Sequence, residues 1–121
     1  MPVPEAARRR IRTFLDEDDE IRYVLPADVL MSVQPSVLVV VSRKAITVLS
    51  TGFWSRKRPK SVLARLPRST VLGPVEMQPS PCFRVDGIDY EIDEEYVAVV
   101  NAADSEITSP RDFPPDPLPD L

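Results

Sequence analysis

The stretch "SVLVVVSRKAITVLS", Ser36 to Ser50, decides the fold class. Both of its apolar runs are rich in β-branched residues, and each is too short for a typical helix. Only Arg43 and Lys44 separate the runs, so two strands must fold back on each other as a hairpin. Arg-Lys lacks the Asn-Gly chemistry of a two-residue turn, and we therefore expect a slightly longer loop. The first run is apolar at every position, which predicts a strand covered on both faces.

Further strands on either side extend the predicted sheet. "EIRYVL", Glu20 to Leu25, alternates in the manner of a half-buried strand, which Pro26 is expected to end. "CFRVDGIDYEID", Cys82 to Asp93, has Asp86-Gly87 between alternating apolar residues and predicts a tight hairpin with a type I′ turn. Between these strands, prolines divide Ser61 to Met77 into short edge strands or bends.

Amphipathic helices are predicted before and after the strands. "PEAARRRIRTFL", Pro4 to Leu15, begins with a proline suited to a helix start and has its apolar residues on one helical face. Asp93 is a good N-cap for the second helix, and Glu94 and Glu95 follow where the helix dipole favours acids. The residues expected to pack against the sheet are Ala7, Ile11, Phe14 and Leu15 in the first helix and Tyr96, Val100, Ala103 and Ile107 in the second.

Charge is divided unevenly along the chain, whose net charge is -4. Residues 29–75 hold eight cations and no acid, whereas residues 76–121 hold two arginines against twelve acids. Such asymmetry gives the folded surface a strong dipole. The longest apolar run, Val37 to Val41, is too short to span a membrane, and we expect a cytoplasmic protein.

Residues suited to catalysis or metal binding are sparse. The chain has no histidine, which removes the commonest metal ligand and the usual general base. Cys82, the only cysteine, is expected to be a small buried hydrophobe rather than a reactive thiol. Gly52, Gly73 and Gly87 are isolated, so the chain has no glycine-rich phosphate loop. We accordingly expect no enzyme, with no catalytic residue, no cofactor and no metal site.

The order of the elements predicts the fold: an α+β, mainly β protein of about seven strands, with a curled antiparallel sheet or partly open barrel capped by the C-terminal helix. Three segments, "DEIRYVLPA", "LVVVSRKAITVLSTG" and "EEYVAVVNAADSEI", resemble the bacterial pleckstrin-homology-like (PH-like) and GRAM-like domains. The resemblance implies a non-enzymatic module that binds lipid headgroups, peptides or proteins. In the phosphoinositide-binding members, spaced basic residues surround the first strand-pair loop, but the equivalent loop here, "PADVLMSVQPS" (Pro26 to Ser36), contains no cation.

Composition divides the chain into three parts. Residues 1–18 are expected to form an N-terminal basic helix, and residues 19–108 the PH-like domain. Residues 109–121, "SPRDFPPDPLPDL", contain five prolines and predict a disordered or polyproline tail. That tail is either a mere extension or a peptide that docks on a partner.

The basic segment "TGFWSRKRPKS", Thr51 to Ser61, is expected to be a loop at the rim of the barrel. Its cations and aromatic residues suit an acidic protein surface or an anionic membrane. Alternatively, the aromatic residues fill the barrel mouth while the cations stay in water.

From this segment we predict a protein-binding or assembly adaptor. The alternative is peripheral binding to anionic lipid at the inner membrane face. Homo-oligomerisation through opposite charges stays open, and the many acids elsewhere disfavour nucleic acid. The predicted partner- or lipid-binding residues are Arg43, Lys44, Phe53, Trp54, Arg56, Lys57, Arg58 and Lys60.

Overall fold

The protein, described here from a computed structural model, is mainly β: a curled six-stranded antiparallel half-barrel sheet with two α-helices. Residues 5–32, 36–52 and 55–108 are described. The strands lie in the order β4-β3-β2-β1-β6-β5. The elements are α1 (Glu5–Arg12), β1 (Ile21–Val29), β2 (Ser36–Ser42), β3 (Ala45–Gly52), β4 (Ser55–Pro67), β5 (Cys82–Val85), β6 (Ile88–Glu91), a 3-10 turn (Glu94–Tyr96) and α2 (Val97–Thr108).

The predicted central hairpin is formed by β2 and β3, but its connection is shorter than expected. Val41 pairs with Ile46, so that Arg43 and Lys44 alone join the strands. Residues just before β1 support this turn by accepting hydrogen bonds from its backbone. The Arg43 backbone N–H donates to the carbonyl of Glu20 at 2.8 Å, and the Lys44 backbone N–H donates to Asp19 Oδ1 at 3.1 Å.

Strand β2 is covered on both faces, as its continuous apolar run predicts. On one face, Val37, Val39 and Val41 belong to a cluster that includes Val100 and Ala103 of α2. On the opposite face, Leu38 and Val40 belong to a smaller cluster with α1. We call these surfaces of the sheet the α2 face and the α1 face. The α1 cluster consists of Ala7, Ile11, Val24, Leu38, Val40 and Leu49, with Phe14, Leu15 and Ile21 packed against it.

Strand β1 continues through Pro26 to Val29, so the expectation that this proline ends the strand was wrong. Pro26 lies opposite Leu38 of β2, whereas β6 pairs with β1 only further along, at Asp28 and Val29. The missing N–H of Pro26 therefore interrupts no ladder on the β6 side.

An irregularity at Arg22 turns the side chain of Ile21 to the α1 face, while Tyr23 packs on the α2 face. Strict alternation places these two residues on the same face, because a strand has a side-chain period of two. Because Arg22 is an extra residue in β1, the side chain that precedes it in the strand points to the opposite face of the sheet.

Two further local predictions are confirmed. Asp86 and Gly87 have φ values of 53° and 79°, the two positive angles that a type I′ turn requires, and they join β5 to β6. The second helix buries Tyr96, Val100 and Ala103 but leaves Ile107 only half-buried; its first turn, from Glu94 to Tyr96, is 3-10 rather than α-helical, and the side chain of Asp93 makes no capping hydrogen bond.

The number of strands is six rather than about seven, and the difference arises after β4. Within residues 68–81 the structure places no strand, only a single bridge between Glu76 and Cys82. The carboxylate of Asp104 in α2 ties this segment to the helix, because it accepts hydrogen bonds from the backbone N–H groups of Leu72 and Gly73 at 2.8 and 2.7 Å. Neither of the two described α-helices is long and apolar enough to cross a bilayer.

Candidate partner-binding surface

The two edges of the sheet differ in how accessible their backbones are. On β5, the backbone of Cys82 exchanges two hydrogen bonds with Glu76, at 2.7 and 2.9 Å, which closes much of the outer side of this four-residue strand. The opposite edge, β4, is thirteen residues long and pairs only with β3. Within the described ranges, β4 is therefore the long open edge of the sheet.

The second half of β4 exposes apolar as well as charged side chains. Val62 and Leu63 are 41% and 57% exposed, and Lys60 and Arg65 are exposed on either side of them. Three shifts in the pairing register leave Leu63, Lys60 and residues 56–58 as extra residues in β4 with no partner in β3. Such bulges, together with charges and prolines, are devices that natural edge strands use to resist uncontrolled pairing.

Helix α1 lies beside β4 and adds Arg10 to this edge. Arg10 Nε donates a hydrogen bond to the carbonyl of Pro59 at 3.2 Å. Four residues further along the chain, the carbonyl of Phe14 accepts a hydrogen bond from Arg65 Nη2 at 2.6 Å. Cations from distant parts of the sequence thus meet on one surface. We call it the basic edge: Arg10, Lys60 and Arg65, together with Arg56, Lys57 and Arg58, which are placed in β4 by their backbone alone.

The segment predicted to be a rim loop is mostly strand. Thr51 and Gly52 end β3, and Ser55 to Ser61 form the first half of β4, so that the connection has only two residues. Those two residues, Phe53 and Trp54, lie outside the described residues. The prediction that one of these aromatic side chains is buried in the barrel mouth is therefore not tested. Arg56, Lys57 and Arg58 are placed by their backbone within β4.

Arg43 and Lys44 lie at the opposite end of β3 from the start of β4, a strand length of about 25 Å. They are held by the acidic run that follows α1. Lys44 Nζ lies 2.6 Å from Asp18 Oδ1, and Arg43 Nη2 donates to the carbonyl of Asp18 at 3.1 Å. The hydrogen bond from Lys44 lowers the pKa of Asp18, and the same bond raises the pKa of Lys44. The structure therefore separates this cation pair from the basic edge.

Acidic side chains lie close together near β6, toward the opposite edge of the sheet from β4. A cleft of about 330 Å³ near β6 is lined by four carboxylate-bearing residues, Asp28, Glu91, Asp93 and Glu94. One of these carboxylates, that of Glu91, accepts a hydrogen bond from the hydroxyl of Ser80. In the part of the chain that the structure describes, no group of three or more acidic or cysteine side chains could hold a metal ion. The uneven charge of the sequence thus becomes a basic edge at β4 and an acidic region near β6.

Sequence reasoning missed two contributions to the basic edge. Val62 and Leu63 are adjacent, and two neighbours in a regular strand cannot both face the core, so their apolar pair was itself a signal of exposure or of a bulge. The contact between Arg10 and Pro59 joins residues 49 positions apart, and no local pattern indicates it.

Comparison with protein-family models, curated proteins and solved structures found no match for this chain. The resemblance to PH-like and GRAM-like domains therefore stays a prediction.

Proposed function

We propose that the protein is a small, non-enzymatic, cytoplasmic interaction module that acts as a protein-binding or assembly adaptor by holding an acidic, extended segment of its partner at the basic edge. The observation that carries this proposal is the open thirteen-residue strand β4, which combines cations with two exposed apolar side chains. A PH-like sheet capped by α2 is the fold that accompanies it.

Binding at this edge combines three kinds of contact. An extended peptide beside β4 can form main-chain hydrogen bonds, which give affinity without strict sequence requirements. Its acidic side chains would meet Lys60 and Arg65, and its apolar ones would cover Val62 and Leu63. Charge selects the partner: a second copy of β4 would place like charges opposite each other, which is destabilising.

The experiment uses a ten-residue peptide of alternating Glu and Val, titrated into the full chain and followed by backbone amide NMR. We expect the largest shifts at Ser61 to Leu66, a dissociation constant that weakens with salt, and no binding of the matched Lys-Val peptide. The double variant Lys60→Glu, Arg65→Glu should lose binding. Arg84→Glu, an exposed arginine on β5, serves as the control away from the edge. Equal binding of the acidic and basic peptides would overturn the proposal.

An anionic membrane is the second candidate, favoured by Leu30 and Met31. Both are exposed at the end of β1, and Met31 is held at a φ of 65°. Because successive strands are antiparallel, this end of β1 and the start of β4 lie at the same end of the sheet. Apolar side chains beside cations suit a headgroup surface, where each Lys or Arg contributes about 1 kcal/mol.

Co-sedimentation with phosphatidylglycerol vesicles tests the membrane candidate. We expect binding at low salt that the change Met31→Ser weakens and that the triple change Arg56→Glu, Lys57→Glu, Arg58→Glu removes. Failure of the unaltered chain to sediment with fully anionic vesicles at low salt would eliminate this candidate.

A further inference from the structure

We propose that a small cleft beside Arg65, on the α1 face of the sheet, binds one carboxylate group through the hydroxyl of Thr47 and the guanidinium of Arg65. The carboxylate would belong to a glutamate side chain of the acidic partner, and this choice of source rests on the proposed function. The capacity of the cleft to bind a carboxylate depends only on its own side chains.

The cleft has a volume of about 240 Å³ and is lined by the segment that follows α1, the start of β3 and the end of β4. Leu15 and Ala45 form its apolar lining. Its polar lining consists of Asp16, Asp19, Lys44, Thr47 and Arg65. Pockets for drug-sized ligands have volumes of about 300–1,000 Å³, so this space suits a single side chain or a small acid.

Thr47 is the buried member of this lining, and its hydroxyl has no partner. Its side chain lies on the α1 face, because Leu49, two residues further along β3, belongs to the α1 cluster. Thr47 is 0% exposed, and among the described residues no group forms a hydrogen bond with its Oγ1. The hydroxyl of Ser42, which is equally buried, lies 2.7 Å from a carboxylate oxygen of Asp19. Since buried polar groups are nearly always paired, the hydroxyl of Thr47 indicates a ligand that supplies its partner.

Arg65 lies directly opposite Thr47 in the ladder between β3 and β4. Side chains of directly paired residues share one face of an antiparallel sheet, with Cβ atoms about 4.5–5.5 Å apart. The Nη2 of Arg65 donates to the carbonyl of Phe14, which holds one end of the guanidinium near the segment after α1. Among the described residues Arg65 makes no ion pair, and a guanidinium carries several further N–H donors. Thr47 and Arg65 therefore offer adjacent donors to one acceptor group.

The acids that line the cleft are already paired within the fold. Asp19 accepts hydrogen bonds from one serine hydroxyl and two backbone N–H groups. The Oδ2 of Asp16 lies 3.9 Å from Lys44 Nζ, and its side chain is exposed. Lys44 Nζ is also 2.6 Å from Asp18 Oδ1. These groups neutralise one another, which leaves the two donors opposite each other in the ladder as the open chemistry of the cleft.

A carboxylate matches this open chemistry. Its two oxygens can accept from the hydroxyl of Thr47 and from the guanidinium of Arg65, and hydrogen bonds to an ionised group are the strong ones. The carbon atoms of a glutamate side chain or a small acid would contact Leu15 and Ala45. An ammonium group would instead lie beside the charge of Arg65. Because Arg65 also belongs to the basic edge, a glutamate of a segment bound beside β4 can reach the cleft.

The test titrates the full chain with sodium propionate in place of sodium chloride, at constant ionic strength, and follows backbone amide NMR signals. We expect propionate to shift the signals of Thr47 and Arg65, and propionamide, its uncharged isostere, to shift neither. Thr47→Val keeps the shape of the side chain and removes the hydroxyl, so it should weaken propionate binding about tenfold. Arg65→Gln should weaken it at least as much. Arg84→Gln, at an exposed position on β5, should leave propionate binding unchanged.

The comparison of propionate with propionamide uses the unaltered chain, so it decides the proposal even if Thr47→Val does not fold. Equal shifts from the two compounds would overturn the carboxylate site, and so would the absence of any shift at Thr47 and Arg65 with propionate. Unchanged propionate binding in both Thr47→Val and Arg65→Gln would also overturn it.

The Glu-Val peptide identifies the source of the carboxylate. A weaker affinity of Thr47→Val for this peptide assigns the carboxylate to a glutamate of the partner. If Thr47→Val weakens propionate but not the peptide, the cleft takes a free small acid, and its link to the partner is wrong. If propionate binds but no acidic peptide does, the cleft stands and the proposed function is wrong. If the peptide binds at Ser61 to Leu66 while propionate leaves Thr47 unaffected, the proposed function stands and the cleft is wrong.

Discussion

Asp19 shows how a residue in an acidic run can have a structural role that its neighbours lack. Its Oδ2 accepts a hydrogen bond from the buried hydroxyl of Ser42 at 2.7 Å, and its Oδ1 accepts one from the backbone N–H of Lys44. Asp18, the preceding residue, is exposed and contacts Lys44 only at the surface. Composition predicts a solvated run at this position, because it cannot distinguish these two aspartates.

Replacing Asp19 with Ala should lower the free energy of unfolding by about 1–3 kcal/mol, since the Lys44 N–H loses its acceptor and the buried Ser42 hydroxyl is left with only the Ala45 carbonyl, at 3.0 Å. The matched change Asp18→Ala removes an exposed ion pair and should cost about 0–1 kcal/mol. Urea unfolding followed by circular dichroism measures both values. Equal losses in the two variants would show that the turn does not depend on Asp19.

Glu106 is the acceptor of a mixed cluster that joins α2 to β1. Burial alone would raise the pKa of Glu106, but hydrogen bonds from Tyr23, Arg22 and Arg68, at 2.6, 2.9 and 3.2 Å, together with the charge of Arg22, outweigh burial and lower it. The same bond to Glu106 raises the pKa of Tyr23. The ionised carboxylate therefore stabilises the fold more than the protonated carboxyl does.

The pH dependence follows from the lowered pKa of Glu106. The contribution of the ionised Glu106 side chain to the free energy of unfolding is fully present above the ordinary glutamate pKa of 4.5. This contribution is lost as the pH falls through the lower pKa of Glu106 in the folded state. We expect the stability of Glu106→Gln to fall less steeply than that of the unaltered protein below pH 4.5. Glu94→Gln, an exposed control, should retain the steep fall. Unfolding curves collected at several pH values between about 3 and 7 make the comparison.

At the scale of elements, helix α1 belongs to the fold as well as to the basic edge. Ile11 is fully buried against β2, and the cluster around it covers one whole face of that strand. Ile88, on β6, is 39% exposed and belongs to neither buried cluster. The same residue type thus provides a buried test site and an exposed control.

Ile11→Ala should lower the free energy of unfolding by about 2–4 kcal/mol, since a large side chain leaves a packed site. Ile88→Ala should lower it by about 1 kcal/mol or less. Thermal unfolding of both variants gives the comparison. A small loss at Ile11 would mean that α1 contributes little to the stability of the sheet.

The elements that sequence predicts well are those whose signals are local. The apolar run of β2, the Asp86-Gly87 turn and the buried face of α2 each depend on a few neighbouring residues. The passage of β1 through Pro26 depends instead on where β6 begins to pair, which the sequence of β1 does not contain. Of the cations at the basic edge, the sequence predicted Lys60 and residues 56–58 as binding residues, but neither Arg10 nor Arg65, and it did not predict a strand with α1 beside it.

At the scale of the whole molecule, the basic edge and the acidic cleft lie near opposite edges of one sheet. An electric dipole of this kind acts on an approaching partner before contact, so it affects association more than dissociation. We expect the association rate of the Glu-Val peptide to fall about tenfold between about 50 and 500 mM salt, while the dissociation rate changes less. Stopped-flow fluorescence with a labelled peptide measures both rates. A salt effect confined to dissociation would show that the dipole does not guide the encounter.

Strand β2 has no polar face, and this has a consequence for synthesis on the ribosome. The helix that shields Leu38 and Val40 precedes β2 in the chain and has already been made when the strand emerges. The helix that covers Val37, Val39 and Val41 is the last of the described elements in chain order. During that interval this side of an apolar strand lacks the cover of Val100 and Ala103, so nascent chains stalled before residue 97 are the forms most in need of a chaperone.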